Sequence, residues 1–377
     1  TTNPEAYEFY LKAKHTYEKR ENQDDIEIAR RLINKAIEID NNLFKAKIFL
    51  ADTYNDYGNA EIEKYFKIIN NVLKEARKVN NKSVQGKCLN RLGHISHQNE
   101  NYKEAEQHYF HSLDIGKETE NNKLIVESTR ALGLLYSNQY ELDSAYEYYS
   151  QALSLCESIK DTDGTCNMLG TIGGMYYNVG CYELAIPYWN KKINILKKRG
   201  NGINLGHILM GMGLLYNKIG LFSESLDYYK EALEVYKKNK VSFMSPFVFE
   251  SIGTVYYQQG NFIRAKKNLE QSIRLSKNLH KEPTYLIPMT YLSLTNKELG
   301  EKNDLNELHI LIAEENIEYT SEVFELYYYL FKLLGDKSYL KTVYDDIQKK
   351  IGAMKSDEKA KFLSYPIPKA IVEEWEK

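Results

Sequence analysis

The sequence predicts an all-α protein of stacked antiparallel helix pairs. Three observations predict it. A glycine returns every 40 residues, at Gly93, Gly133, Gly173, Gly213 and Gly253. An apolar stripe spaced i, i+3, i+7 surrounds each one, as in Leu169, Ile172, Tyr176 or Phe249, Ile252, Tyr256, which places three side chains on one helix face. A turn glycine follows at Gly180, Gly220 and Gly260, where a helix can end in a left-handed residue. A fixed period of roughly 20–50 residues is the mark of a repeat architecture whose core is a continuous ribbon.

The elements follow in order. Helices are expected to start near Pro4 and near Asp24 and to pair as a divergent first repeat. "AIEIDNNLFKAKIFLADTYNDYGN" (36–59) opens a second, with Ala51 in the place of the glycine and Tyr54 and Gly58 in register. Its second helix is read in "EIEKYFKIINNVLKEARK". Five regular repeats occupy 84–280. Twelve residues after each pivot glycine stands Ala105, Ala145, Ala185, Ser225 or Ala265, and sixteen after stands Tyr109, Tyr149, Trp189, Tyr229 or Leu269. The pivot and the residue twelve on are expected to be small because the two helices cross closely there. Pro246 is expected in a first turn, where its missing N–H costs nothing, and Pro187 in the first turns of another helix. Degenerate repeats fill 284–352, and helices in 356–377 are expected to cap the end. The whole chain, 1–377, reads as a single solenoid of about nine repeats.

These marks, above all Leu209, Gly213, Tyr216, Gly220, Tyr229, Ala232 and Leu233, resemble the tetratricopeptide repeat, in a variant stretched to 40 residues. The resemblance covers most of the chain. It implies a right-handed α-solenoid superhelix whose first helices line a concave groove that binds a protein or peptide segment. "NPEAYEFYLKAKHTYEKR", followed by "AIEID" and "LADTY", is similar to the opening of repeat regions attached to bacterial class III nucleotide cyclases and TolB-like signalling proteins. That similarity implies an effector domain before residue 1, which is Thr and not Met.

With the core stripe assigned, the groove positions follow by geometry. They lie six and three residues before each pivot and one, four and five after it. In chain order they are Lys87, Asn90, His94, His97, Gln98; Glu127, Arg130, Leu134, Ser137, Asn138; Asn167, Gly170, Gly174, Tyr177, Asn178; His207, Met210, Leu214, Asn217, Lys218; and Phe247, Glu250, Thr254, Tyr257, Gln258. Gln98, Asn138, Asn178, Lys218 and Gln258 form a polar ladder. Each amide carries a donor and an acceptor and can hold the backbone of an extended peptide, although Asn and Gln also suit helix ends. Gly170 and Gly174 leave a bare strip, which either admits a ligand closely or lets neighbouring helices approach. The family's carboxylate clamp, built of Lys, Asn and Arg on successive helices, is not matched by the groove cations Lys87, Arg130 and Lys218.

Other chemistry is expected to be absent. Lys+Arg 50 against Asp+Glu 52 gives a net charge of −2, with no basic bias toward nucleic acid. No apolar run reaches the ~20 residues of a membrane span. Cys88, Cys156, Cys166 and Cys181 form no C-x-x-C pair, as suits core thiols in a reducing, cytoplasmic compartment. His94/His97 and His108/His111 are i, i+3 pairs of metal-competent spacing. They fall on different helices without a completing ligand, so no metal or cofactor is expected. No catalytic frame is legible. The expected function is a peptide-binding scaffold, the sensory or adaptor region of a larger signalling protein. The alternatives are a stand-alone receptor of the quorum-sensing-peptide type and, third, an enzyme with a groove site.

Overall fold

The structure, a computed structural model, describes residues 3–20, 22–55, 61–200, 202–277, 285–303, 305–314, 324–352 and 354–377. Gly58 of the second repeat lies outside these residues. The described chain is helical throughout and divides into two compact units, Thr1–Thr165 and Cys166–Lys377.

The first unit contains α1 (Pro4–Glu18), α2 (Gln23–Ile39), α3 (Phe44–Asp52), α4 (Ile62–Lys78), α5 (Lys82–Gln98), α6 (Tyr102–Glu118), α7 (Asn122–Asn138) and α8 (Leu142–Ser158). Helix α9 (Thr162–Asn178) begins at the boundary. The second unit continues with α10 (Tyr182–Arg199), α11 (Gly202–Lys218), α12 (Phe222–Lys238), α13 (Ser245–Gln258), α14 (Phe262–Lys277), α15 (Leu286–Glu298), α16 (Asn306–Glu314), α17 (Phe324–Leu334), α18 (Lys337–Gly352), α19 (Ser356–Ser364) and α20 (Pro366–Trp375). Pro246 sits in the first turn of α13, as expected, and Pro187 lies inside α10. None of the described helices is long and apolar enough to cross a membrane. All four cysteines are free and buried.

The 40-residue period is two nearly equal halves. Helices α5 to α9, α11 and α12 are each 17 residues long. The middle residue of each three-residue link has positive φ: Glu100 58°, Glu120 50°, Tyr140 62°, Lys160 57°, Gly220 83° and Lys240 58°. The following N–H returns to the helix just ended, as Asn101 N does to Ser96 O at 2.8 Å. That is the six-to-one closure of a Schellman cap, and it satisfies an orphan carbonyl. Glycine was expected to mark these turns, and it does at Gly180, Gly220 and Gly260. Where Glu100 and Tyr140 take the same conformation, the two flanking helices over-determine the link and hold a residue that would otherwise avoid it. The next residue then starts the new helix: Asn81, Asn121 and Asp161 side chains accept from Val84, Leu124 and Gly164 N–H.

The pivot glycines have a different partner from the one expected. They make room for a ring. A Cβ on Gly93, Gly133 or Gly213 would fall 2.5, 2.6 or 2.5 Å from Tyr109, Tyr149 or Tyr229, and one on Gly173 would fall 2.2 Å from the Trp189 indole. Close backbone approach belongs to the residue twelve on: Ser225 Oγ donates to Gly213 O at 2.8 Å, and Ala105, Ala145, Ala185 and Ala265 are fully buried.

The C-terminal helices pack inside the second unit. Phe362 of α19 lies over Gly180, and Pro366 of α20 over Gly220. The Tyr365 hydroxyl donates to Glu183, and Lys361 pairs with the same carboxylate at 3.1 Å. They thereby cover the turns that join α9 to α10 and α11 to α12. Apolar residues of α17, α18 and α20, among them Phe324, Val343 and Ile371, join the same core as Tyr229 and Leu269.

Candidate partner-binding face

In the first unit, some expected groove residues hold the first helices to one another. Asn90 of α5 is buried, and its amide donates to Ser128 of α7 at 3.3 Å. Ser128 in turn meets Ser112 at 2.8 Å. His97 is buried beside Asn138, with its Nε2 2.9 Å from the Asn138 amide nitrogen. His94 Nδ1 lies 3.2 Å from the Tyr109 hydroxyl. Burial, then the positive charges of Arg91 and Arg130, push the His94 pKa down to about 4, so its ring is neutral near pH 7. Both histidines are thus engaged by neighbours, and among the described residues no three His, Cys, Asp or Glu side chains gather as metal ligands. Gln98 and Asn138 remain exposed and Arg130 half-buried, along the same first-helix face.

In the second unit, the expected residues separate into an open and a covered set. Asn178 and His207 are exposed, and Tyr177 is half-buried. A Cβ on Gly174 would touch nothing within 4 Å, so this part of the bare strip is open. Gly170 is not: the Lys192 side chain lies over it, and the Trp189 indole donates to its carbonyl at 3.3 Å.

The covered set lies at the C-terminal ends of α11 and α13. Lys218 Nζ meets Glu325 Oε1 of α17 at 2.8 Å, with both side chains largely buried. Burial disfavours the Lys218 ammonium, but Glu325 more than offsets this and holds its pKa above the ordinary lysine value. Tyr257 packs against Tyr291 and Tyr329, with ring centroids 5.5 and 5.8 Å away, and Tyr291 and Tyr329 are 4.5 Å apart. Two amide atoms here, Asn217 Oδ1 and Gln258 Nε2, are buried without a hydrogen-bond partner. Glu250 stands half a helix back from this end. Burial pushes its pKa up to about 8, and among the described residues it forms no ion pair.

The polar ladder is therefore not uniform. Gln98, Asn138 and Asn178 offer exposed amides, whereas Lys218 and Gln258 are roofed by α17. Sequence reasoning missed Glu325, Tyr291 and Tyr329, because they come from degenerate repeats out of register with the pivot. The aromatic run Tyr327-Tyr328-Tyr329 was the only sign. A separate recess of about 530 Å³ opens between α4, α5 and α6, floored by Ile62, Phe66 and Ile95 with Glu63 and Glu104 at its rim. Of the expected groove residues, none lines it.

Helix pairs of this length, with a small pivot and paired aromatic positions, define a tetratricopeptide-repeat protein. Residues 164–238 and 249–283 match family models described as tetratricopeptide repeat. No curated protein matches the sequence. Among solved structures, the chain is similar to a signal transduction ATPase with numerous domains that carries a tetratricopeptide repeat sensor, from Pyrococcus horikoshii. That likeness has a TM-score of 0.60 at 16% identity and covers 89% of this chain and 54% of the other, so this chain spans about half of that protein. It is similar to aspartyl phosphate phosphatase F from Bacillus subtilis, with a TM-score of 0.56, 13% identity, and 99% and 92% of the two chains covered. It is also similar to the apo form of the quorum sensor NprR from B. thuringiensis, with a TM-score of 0.50, 15% identity, and 98% and 97% covered. At these identities the likeness concerns the fold.

Proposed function

We propose that this chain is a binding scaffold that holds a protein or peptide segment on its first-helix faces, as the sensory or adaptor region of a signalling protein. The observation that carries the reading is the exposure of amides at one repeat position. Gln98, Asn138 and Asn178 each end a first helix five residues after the pivot, and each leaves its amide in solvent. A bound backbone could use both the donor and the acceptor of each. The exposed residues proposed to contact the partner are Gln98, Arg130, Asn138, Gly174, Tyr177, Asn178 and His207. Asn90, His94, His97, Gly170, Asn217, Lys218, Tyr257 and Gln258 shape the face from beneath. No catalytic residue, cofactor or metal is part of this reading.

The tetratricopeptide sensor of the P. horikoshii protein, which this chain matches over about half of the other's length, supports a role within a larger protein. A second reading, a stand-alone peptide receptor, is favoured by the near-complete coverage of both chains with the quorum sensor NprR.

The test uses peptides selected from a random display library on the intact chain. Their affinity is then measured for wild type and for Gln98→Ala/Asn178→Ala. We expect the double variant to melt like wild type and to bind about tenfold more weakly, since a peptide amide facing alanine in a dry contact loses its hydrogen bond. Unchanged affinity for every selected peptide would sink the reading.

A further inference from the structure

The first-helix face of the second unit changes character along its length. Its far end is sealed. Glu325 sits on Lys218, Tyr329 packs on Tyr257, and α19 and α20 cover the turns beyond. Its near end is open and apolar. Ile203 and Leu214 on α11 and Phe247 on α13 are exposed, as is Phe243 just before α13. Residues 203, 207, 210 and 214 follow one another at steps of four and three, as do 243, 247, 250 and 254, so each set shares a helix face. Four large exposed apolar side chains on neighbouring first helices form a patch, not a scatter of isolated residues.

One charge lies in this path. Glu250 stands one turn past Phe247, between the apolar mouth and the roofed end. Among the described residues no lysine, arginine or histidine pairs with it. Its neighbour in the preceding repeat is Met210, so the chain itself supplies an apolar wall beside the carboxyl. Burial without a countercharge raises its pKa to about 8 and leaves it mostly neutral in the free protein. An acid crowded by protein and lacking a cation is an uncompensated cost unless something outside the chain completes it.

We propose that this face is a one-ended cup for the terminus of a peptide chain that carries a lysine or arginine between large apolar residues. The cation meets Glu250, and the apolar residues cover Phe247 and Leu214. The proposal rests on the binding function argued above and narrows it to one unit and one ligand chemistry. The occupant is a chain end, because the roof of α17 stops a segment from running through. From residue 247 to residue 258 the helix rises about 16 Å. That depth accommodates about five residues of extended chain.

The probe is the hexapeptide Phe-Lys-Leu-Phe-Gly-Ser, titrated calorimetrically into the full chain. Two comparison peptides accompany it: one with norleucine for lysine, and one with the same core embedded between long Gly-Ser flanks. We expect the lysine peptide to bind at least about tenfold more tightly than the norleucine peptide, as a charge-assisted contact requires. Glu250→Gln should bring the two together, and the flanked peptide should bind more weakly than the free one. Phe247→Ser should weaken all three peptides without shifting the melting temperature, since that side chain is exposed. Equal affinity of the lysine and norleucine peptides for wild type overturns the proposal, as does a lysine preference that survives Glu250→Gln. Absence of binding by all three overturns it too. The broader binding function would then still stand or fall on the library experiment with Gln98→Ala/Asn178→Ala.

Discussion

Gly213 and Tyr229 occupy one site: a Cβ added to the glycine would lie 2.5 Å from Tyr229 Cε1, and the ring is fully buried. The same relation joins Gly93 to Tyr109, Gly133 to Tyr149 and Gly173 to Trp189. Gly213→Ala should therefore destabilise the second unit by about 2 kcal/mol, despite the helix propensity gained, because overpacking a dense core forces strain. Adding Tyr229→Leu should recover much of the loss by vacating the space. Chemical denaturation of the two single variants and the double variant decides it. Additive losses would show that the glycine and the ring do not share a site.

The links make a second prediction. Glu120 is exposed and sits at φ 50°, a conformation that costs a residue with a Cβ about 1 kcal/mol or more. Glu120→Gly should stabilise the first unit by roughly 0.5–1 kcal/mol, after subtracting the entropy glycine loses on folding. Glu120→Ala should not. If both substitutions move the melting temperature alike, backbone strain at the link is not the cause.

Lys218 and Glu325 hold α17 onto α11. Lys218→Met should cost about 3 kcal/mol, chiefly because Glu325 is left buried without its cation. Lys218→Met combined with Glu325→Leu should restore most of that, since an apolar pair replaces the ionic one. A double variant no more stable than Lys218→Met would mean that the pair is solvated and contributes little.

The neutral state of His94 makes stability depend on pH. Its folded pKa is lowered to about 4, against an ordinary 6.5. Above pH 6.5 neither the folded nor the unfolded chain binds the proton, and the full stability is present. As pH falls from 6.5 toward 4, the unfolded chain takes up the proton first, so stability declines. The decline amounts to about 2 kcal/mol, allowing for the partial exposure of the ring. Urea midpoints measured between pH 7.5 and 4.5 should fall more steeply for wild type than for His94→Gln. Parallel curves would assign the acid sensitivity to other groups.

The sequence by itself determined the repeat, the helix boundaries and the register of the core. Those features depend on local spacing: apolar residues every three or four positions, and Gly213, Ser225 and Tyr229 at fixed offsets that recur 40 residues on. A period seen in five copies needs no knowledge of distant contacts. The same spacing marked which side of each first helix faces away from its partner, and so named Asn178 and Glu250. Only the tertiary structure decided which of those residues stay open. Asn178 is exposed, whereas Lys218, at the same repeat position 40 residues later, meets a carboxylate 107 positions further on, at Glu325. The positive φ of Glu100 and Tyr140 was illegible for a related reason. Neither residue type asks for that conformation, and it is imposed by the packing of the helices on either side. Local pattern is written in the order of residues, but the cover of a groove and the strain in a link depend on segments that sequence order keeps far apart.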